Sequence, residues 1–394
     1  MFLSSIIISV IKFRQGAIMI EIKEVKTKKD LKKFAKYPVK LYKNCPYYVP
    51  SLYGDELATF NPKKNFNLRG NECKGFLCFK DGKLVGRIAG LINRKDNELT
   101  GKNYIRFSRL DCIDDKSVFD ALFSAVEKFG KDYGMDTIHG PWGFNDTDRE
   151  GMLTYGFDKR STYGTNYYYP YFSERMREMG FNDESKWVEK CFTVPDEPYE
   201  RITSICERLK KRLNVFEAFD KYSVKQVVKK YGKEFFETMN DAYGHLDGYV
   251  PIEGDAQKNV LKQFATIINP RYSSILIDAN GKVAAFGIVL PSIADALVKS
   301  RGRLFPTGFI GVLKSIKHPK ELEMALIGVK AEYKNTGINS ILISRIMKNV
   351  IDDKIERVES NVMLETNYNI QNQWKFAESE IIKRRQTYVK EIKI

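Results

Sequence analysis

The chain is poor in the residues from which metal centres are built. Of its 394 residues only three are histidine, His139, His245 and His318, and they lie far apart. Six cysteines, Cys45, Cys73, Cys78, Cys112, Cys191 and Cys206, include no CxxC pair and sit in apolar contexts. A zinc site of histidine and cysteine has no candidate ligand set, so no metal is expected. Long apolar runs are also missing. The N-terminal MFLSSIIISV falls short of the ~20 apolar residues that cross a bilayer. Its basic residues, Lys12 and Arg14, follow the apolar run, the reverse of a signal peptide. With no export signal, the thiols should be reduced and the protein cytoplasmic. Residues 1–18 read as an extension outside the fold, and Met19 opens the first strand. No low-complexity tract interrupts the rest.

What is present is an ordinary globular composition, 43% hydrophobic and 29% charged. A chain this long exceeds what one hydrophobic core serves, so two domains are expected, 19–195 and 196–394. The boundary falls in TVPDEPYER (193–201), where two prolines and a charged cluster precede an amphipathic helix. The 65 Lys and Arg against 50 Asp and Glu leave +15. Because lysines are spread along the whole chain, the charge reads as compositional, and neither nucleic acid nor a membrane is expected as a partner. The densest cluster is KSIKHPK (314–320), following KSRGR (299–303).

One segment carries chemistry. KNTGIN (334–339) lies between an apolar strand pattern, ELEMALIGVKAEY (321–333), and a helical one, ILISRIMKNVI (341–351). A strand, a glycine turn and a helix N-terminus aim several unpaired N–H groups at one point, which suits a phosphate. Gly337 can take positive φ, and Asn339 or Ser340 is the expected N-cap. Upstream, SSILIDANGKVAAFGIVLPS (273–292) reads as a hairpin about Asn280-Gly281. Downstream come a strand (357–365), a helix (367–378) and a last strand (381–392). The first half repeats this opening: a hairpin (76–93) turning at Asp81-Gly82, a strand (104–113), a helix (117–134), a strand (135–144) and a helix (171–181). Its strand-to-helix turn, CIDDKS (112–117), has two acids and no glycine, so it should repel a diphosphate.

This order resembles the GNAT superfamily of acyl-CoA-dependent N-acyltransferases, in tandem form, over nearly the whole chain from residue 19. The implied fold is α/β: two GNAT-like domains, each a mixed, largely antiparallel sheet flanked by helices, the first degenerate and the second binding acyl-CoA. The family's turn, Q/R-x-x-G-x-G/A, lies on Lys334, Gly337 and Asn339. The resemblance implies that Lys334, Asn335, Thr336, Gly337, Ile338, Asn339 and Ser340 hold the diphosphate. Ile327 and Val329 would align the pantetheine by backbone pairing. The family's E-x-N is matched by Glu365 and Asn367, the latter expected at the coenzyme, while its acid tyrosine falls on Trp374. Glu323 lies where relatives carry a general base, and His245 is the second candidate. Tyr243, Tyr249, Tyr168 and Tyr169 are aromatic candidates for the acceptor pocket; Asp146, Asp148 and Glu150 are acids able to meet a cationic amine. The expected reaction is acetyl transfer from acetyl-CoA, or another acyl-CoA, to a small-molecule or peptide amine. The alternatives are a non-catalytic ligand-binding or interaction module and an aminoacyl-tRNA-dependent transferase of the peptide-bridge type.

Overall fold

The computed structural model describes residues 10–15, 18–145, 148–197, 200–246, 249–374 and 377–393. The first half runs β1 (Val10–Gln15), β2 (Ile18–Glu24), α1 (Lys28–Leu41), α2 (Tyr53–Ala58), β3 (Glu72–Lys80), β4 (Lys83–Ile92), α3 (Arg94–Thr100), β5 (Tyr104–Cys112), α4 (Lys116–Asp132), β6 (Thr137–Gly140), β7 (Met152–Tyr155), α5 (Tyr171–Glu178) and β8 (Asn182–Phe192). The second half opens with α6 (Glu200–Arg212), β9 (Phe216–Glu217), α7 (Ala218–Lys221), α8 (Val224–Tyr243), α9 (Asp255–Ile267), β10 (Ser274–Ile277) and β11 (Val283–Pro291). It continues with α10 (Ala294–Ser300), α11 (Gly308–Lys317), β12 (Glu321–Val329), α12 (Ile338–Asp352), β13 (Arg357–Glu359), β14 (Met363–Leu364), α13 (Tyr368–Gln373) and β15 (Ser379–Glu391).

The strands form one continuous mixed sheet in the order β1-β2-β3-β4-β5-β6-β15-β8-β13-β12-β11-β10-β9. Each half contributes a run of antiparallel strands followed by one parallel pair, β5 with β6 and β12 with β13. Those pairs need a crossover helix, supplied by α4 and α12 at matching places. In the second half the alternation of the strands sorts side chains to two faces. Ile275, Ile277 and Phe286 face α8, where Phe235 and Phe236 pack, while Leu276 and Ala285 face α12 through Ile338, Ile341 and Leu342. Both faces are covered, which explains the nearly unbroken apolar run of β11.

Two features depart from expectation. The last strand, expected to finish the second half, is inserted in the first half's part of the sheet, between β6 and β8. There Tyr388 pairs with Gly140 on one side and Asp183 on the other, and the sheet does not break at residue 195. The insertion is pinned by buried charge: Lys383 Nζ lies 2.9 Å from Glu189 and 3.0 Å from Glu359, and Arg385 Nε is 2.5 Å from Glu189. Burial pushes the Glu189 carboxyl up, and the two cations more than offset it, leaving it below the usual carboxylate range. Removing one partner from such a cluster leaves an uncompensated buried charge at a cost of ~3–5 kcal/mol. The second departure concerns the N-terminal extension: residues 10–15 add an edge strand to β2, with Phe13 opposite Ile20, because the hairpin offers an unpaired ladder to complete. Ile18 opens β2, one residue before the expected start at Met19, and residues 1–9, 16 and 17 lie outside the described residues.

The first half's strand-to-helix turn is closed to anions. Asp115 caps α4, its carboxylate accepting the Ser117 N–H at 2.9 Å while pairing with Lys80. The helix N-terminus that would meet a phosphate is occupied by its own side chain.

Candidate active site

The second half's parallel pair is brief. Glu321, Leu322 and Glu323 of β12 stand beside Arg357, Val358 and Glu359 of β13, and then the strands part. β12 continues along β11 to Val329, whereas the other chain swings to β8, where Met363 and Leu364 pair with Val188 and Trp187. The split opens a V-shaped cleft whose vertex is the Glu323–Glu359 pair. A register shift in the β11–β12 ladder, between Ile288 opposite Leu326 and Val289 opposite Met324, bulges Ala325 at its near end. The cleft holds a cavity of about 470 Å³, walled by Met324 and Leu326 on one side, Val362 and Met363 on the other, and Ile346 and Trp374 behind.

At the far end of β12 the chain makes a short 3₁₀ turn (Ala331–Tyr333), then Asn335 and Gly337 take positive φ, 64° and 85°. Gly337 itself is the N-cap of α12, not Asn339 or Ser340, because the left-handed turn starts the helix before either is reached. No hydrogen bond is made by the N–H groups of Asn335, Gly337 or Asn339 among the described residues, whereas Thr336 folds back onto the Tyr333 carbonyl at 2.7 Å. Lys334 is exposed beside them. Ile338 points the other way and anchors the helix in the core, 1% exposed. Unpaired N–H groups at a helix N-terminus beside a lysine are a geometry that suits a phosphate.

Glu323 differs from the carboxylates around it. Its side chain accepts the Ser292 hydroxyl at 2.7 Å and the Tyr163 N–H at 3.1 Å, and it makes no ion pair among the described residues. Burial pushes its carboxyl up to about 7, partly opposed by Ser292, and the adjacent Glu359 charge adds to the rise. Some of the residue's surface stays open although the carboxylate is enclosed by protein. A buried carboxylate titrating near neutrality, hydrogen-bonded but not neutralised, is what a general base requires. His245, by contrast, is exposed just past α8; neither it nor Glu323 is among the residues that line the cavity, but Glu323 directly precedes Met324, which does.

The aromatic candidates divide. Tyr243 lines the cavity, and its hydroxyl meets both polar groups of Ile327, donating to the carbonyl at 2.9 Å and accepting the N–H at 3.1 Å. Those groups point away from β11 into the cleft, so Tyr243 covers the strand edge on which Ile327 was expected to align a pantetheine. Val329, two residues on, lies on the same edge of β12. Tyr249 stands behind, its ring 5.8 Å from Tyr243 and its hydroxyl on Asn240 at 2.6 Å. Tyr168 and Tyr169 belong instead to the first half's core, against Phe172 and Tyr42, and leave the cavity; their aromatic run packs a domain interior. Asn367 lines the cavity but spends its side chain capping α13, accepting the Ile370 N–H at 3.3 Å. Ser340 and Glu150 also line the cavity, Asp148 binds the Phe144 N–H at 2.7 Å, and Asp146 lies outside the described residues. Trp374 is 7% exposed and packs on Phe192, a wall with no acidic proton to give. Sequence reasoning missed Ser292 and Tyr163, which hold Glu323; only their approach in the fold marks them.

Among the described residues no group of histidine, cysteine and carboxylate side chains could hold a metal. No family model matches the chain. It is 26% identical over 377 residues to Protein YghO of Escherichia coli, covering 93% of this chain and 94% of that protein. It is 25% identical over 334 residues to the bacterial ceramide synthase of Caulobacter vibrioides, covering 82% and 84%. Among solved structures, a tandem GNAT protein of the clavulanic acid biosynthesis pathway superposes with a TM-score of 0.55 at 11% identity, covering 95% of this chain and 99% of that one. The glucosamine N-acetyltransferase region of a fungal multi-domain β-N-acetylglucosaminidase superposes at 0.54 and 12% identity, covering 95% of this chain and 38% of that one. A parted parallel strand pair, a bulge beside it and an open glycine turn at the following helix are thus set in a chain whose fold is that of the tandem GNAT proteins.

Proposed function

We propose that the protein transfers an acyl group from an acyl-CoA thioester to an amine, with Glu323 as the base. The observation that carries this reading is the position of Glu323 at the vertex of the cleft, some 20 Å at ~3.3 Å per residue from Val329, the end of β12 that leads into the turn at Gly337. A coenzyme with its diphosphate on the amides of Asn335, Gly337 and Asn339 runs down the cleft and brings its thioester towards that carboxylate. The amine nitrogen bonds to the thioester carbonyl carbon, the C–S bond breaks, and Glu323 receives the proton that the amine gives up. Trp374 has no proton for the departing thiolate, so water supplies it. Much of the rate comes from holding the two reactants in one cleft.

The acyl group is proposed to be long. An acetyl group leaves most of an apolar 470 Å³ cavity unfilled, whereas a fatty chain buries against Met324, Leu326, Ile346 and Met363 at ~0.8 kcal/mol per methylene. The Caulobacter relative is named a ceramide synthase, and a ceramide is by chemical definition a fatty amide. A lipid amino alcohol is therefore the acceptor class to test first, ahead of polyamines, amino sugars and peptide amines. The test is thiol release from acyl-CoAs graded from acetyl to palmitoyl, with and without each amine. The reading expects release that depends on the amine and rises with chain length; a preference for acetyl-CoA would restore the shorter acyl group, and no release with any pair would overturn the transferase.

A further inference from the structure

Between β11 and β12 the chain makes an excursion, α10 and α11, with an apolar face that nothing among the described residues covers. Phe305 is 78% exposed, Ile310 and Leu313 each 58%, and Phe309 and Val298 about 40% (38% and 41%). On α11 the exposed arc holds Phe309, Ile310 and Leu313 together with Lys314 and Lys317, while Val312 and Ile316 turn inward to the buried cluster of Val49, Ile293, Ala294 and Leu297. The charge of the segment is one-sided. The excursion, residues 292–320, contains six lysines or arginines and a single acid, Asp295, which pairs with Arg160. Lys299, Arg301, Lys314 and Lys317 make no ion pair among the described residues.

We propose that this face docks on an anionic lipid bilayer, α11 lying in the interface with its aromatic and aliphatic side chains among the acyl chains and its lysines at the headgroups. Large exposed apolar side chains flanked mainly by cations match a surface that is apolar within and negative at its edge. A second protein chain offers no reason for so one-sided an excess of cations. Among the described residues no helix is long and apolar enough to cross a membrane, which interfacial docking does not require. The basic cluster was legible in the sequence as KSRGR and KSIKHPK, but it read as part of a chain-wide excess; the helix gathers it around one apolar patch.

The placement also has a consequence for the cleft. Ser292, at the root of the excursion, donates to Glu323, and Tyr163, which packs on the same buried cluster as Val312 and Ile316, gives Glu323 its N–H. The docking face and the proposed base are thus joined through one small cluster, and a docked molecule holds the Glu323 end of the cleft next to the bilayer. That suits an acceptor amine drawn from lipid.

The test is sedimentation of the full chain with vesicles of phosphatidylcholine alone and of phosphatidylcholine mixed with phosphatidylglycerol. The parent should bind the mixed vesicles and hardly bind the neutral ones. The double variant Ile310→Ser with Leu313→Ser should lose at least about tenfold in binding, and Lys314→Glu with Lys317→Glu should lose at least about fivefold per lysine. All should keep the circular dichroism of the parent and its thiol release with soluble amines. Glu323→Gln should sediment like the parent, which separates docking from catalysis. Equal binding to both vesicle types, or unchanged binding by the two double variants, would overturn the proposal. So would a parent that dimerises without vesicles and turns monomeric in the Ile310→Ser, Leu313→Ser variant.

Discussion

Glu323 and Glu359 stand side by side on two parallel strands, yet only Glu359 is neutralised, by Arg357 at 2.6 Å and Lys383 at 3.0 Å. The unneutralised member therefore carries the cost of their proximity, and its carboxyl rises to about 7. The strands part immediately after this pair, so the residue with the perturbed carboxylate stands where the cleft begins.

Glu323→Gln keeps the shape and loses the base. Turnover should fall by ~100-fold or more while acyl-CoA affinity, measured by calorimetry, stays within about twofold, because a base acts in the transition state and adds little to ground-state binding. A matched loss of affinity would mean that the side chain positions the coenzyme instead.

The same carboxyl sets two pH dependences. Only its charged form accepts a proton, so turnover should fall about tenfold per pH unit below about 7. For stability, the unfolded chain releases this proton near the ordinary value of 4.5, whereas the folded protein holds it to about 7. Between these values the unfolded state loses its proton first, so Glu323 makes the fold less stable as pH rises from about 4.5 to about 7, with no further change above. Glu323→Gln should consequently be more stable than the parent above about pH 7, by roughly 1–3 kcal/mol in urea denaturation, and the advantage should vanish at about pH 4. An inactive variant with no such gain would place the carboxylate in an ordinary polar environment.

At the turn, Gly337→Val forces a β-branched residue to φ 85°, at a cost of ~1–2 kcal/mol, and reorients the N–H groups. Acyl-CoA affinity should drop beyond detection in calorimetry while the circular dichroism persists. In the first half, Asp115→Asn keeps a helix cap but removes the pairing with Lys80, and should leave affinity unchanged. Comparable losses from both would assign coenzyme binding to both halves.

Tyr243→Phe uncovers the Ile327 edge. If the pantetheine pairs there, the phenol competes with it, and its removal should tighten acyl-CoA binding several-fold, worth ~1 kcal/mol for one neutral hydrogen bond. Weaker binding would show that Tyr243 contacts the coenzyme rather than standing in its place.

Local signals were legible where a short stretch decides its own conformation. Asn280-Gly281 turns the hairpin between β10 and β11, and Gly337 takes the left-handed conformation that starts α12. Glu323 was found through its place before that turn, but its environment was not, because Ser292, Tyr163 and Glu359 come from three distant segments. Strand partnership was the least readable feature. The pattern of residues 381–392 marks a strand without saying that it enters the sheet between β6 and β8, which Lys383, Arg385 and Glu189 decide across the whole chain. The tyrosine run at 167–169 misled for the same reason: aromatic density marks a cavity wall and a core alike, and here Tyr168 is 1% exposed in the core.

The account rests on a fatty acyl thioester lying in the cleft and being passed to an amine under Glu323. Mass spectrometry of the amide formed from palmitoyl-CoA and a long-chain amino alcohol, by the parent and by Glu323→Gln in parallel, tests it most directly. The account predicts an N-palmitoyl product from the parent, accompanied by one free thiol per amide, and ~100-fold less from the variant. Equal product from both proteins, or none from the parent while acetyl-CoA is consumed briskly, would contradict it.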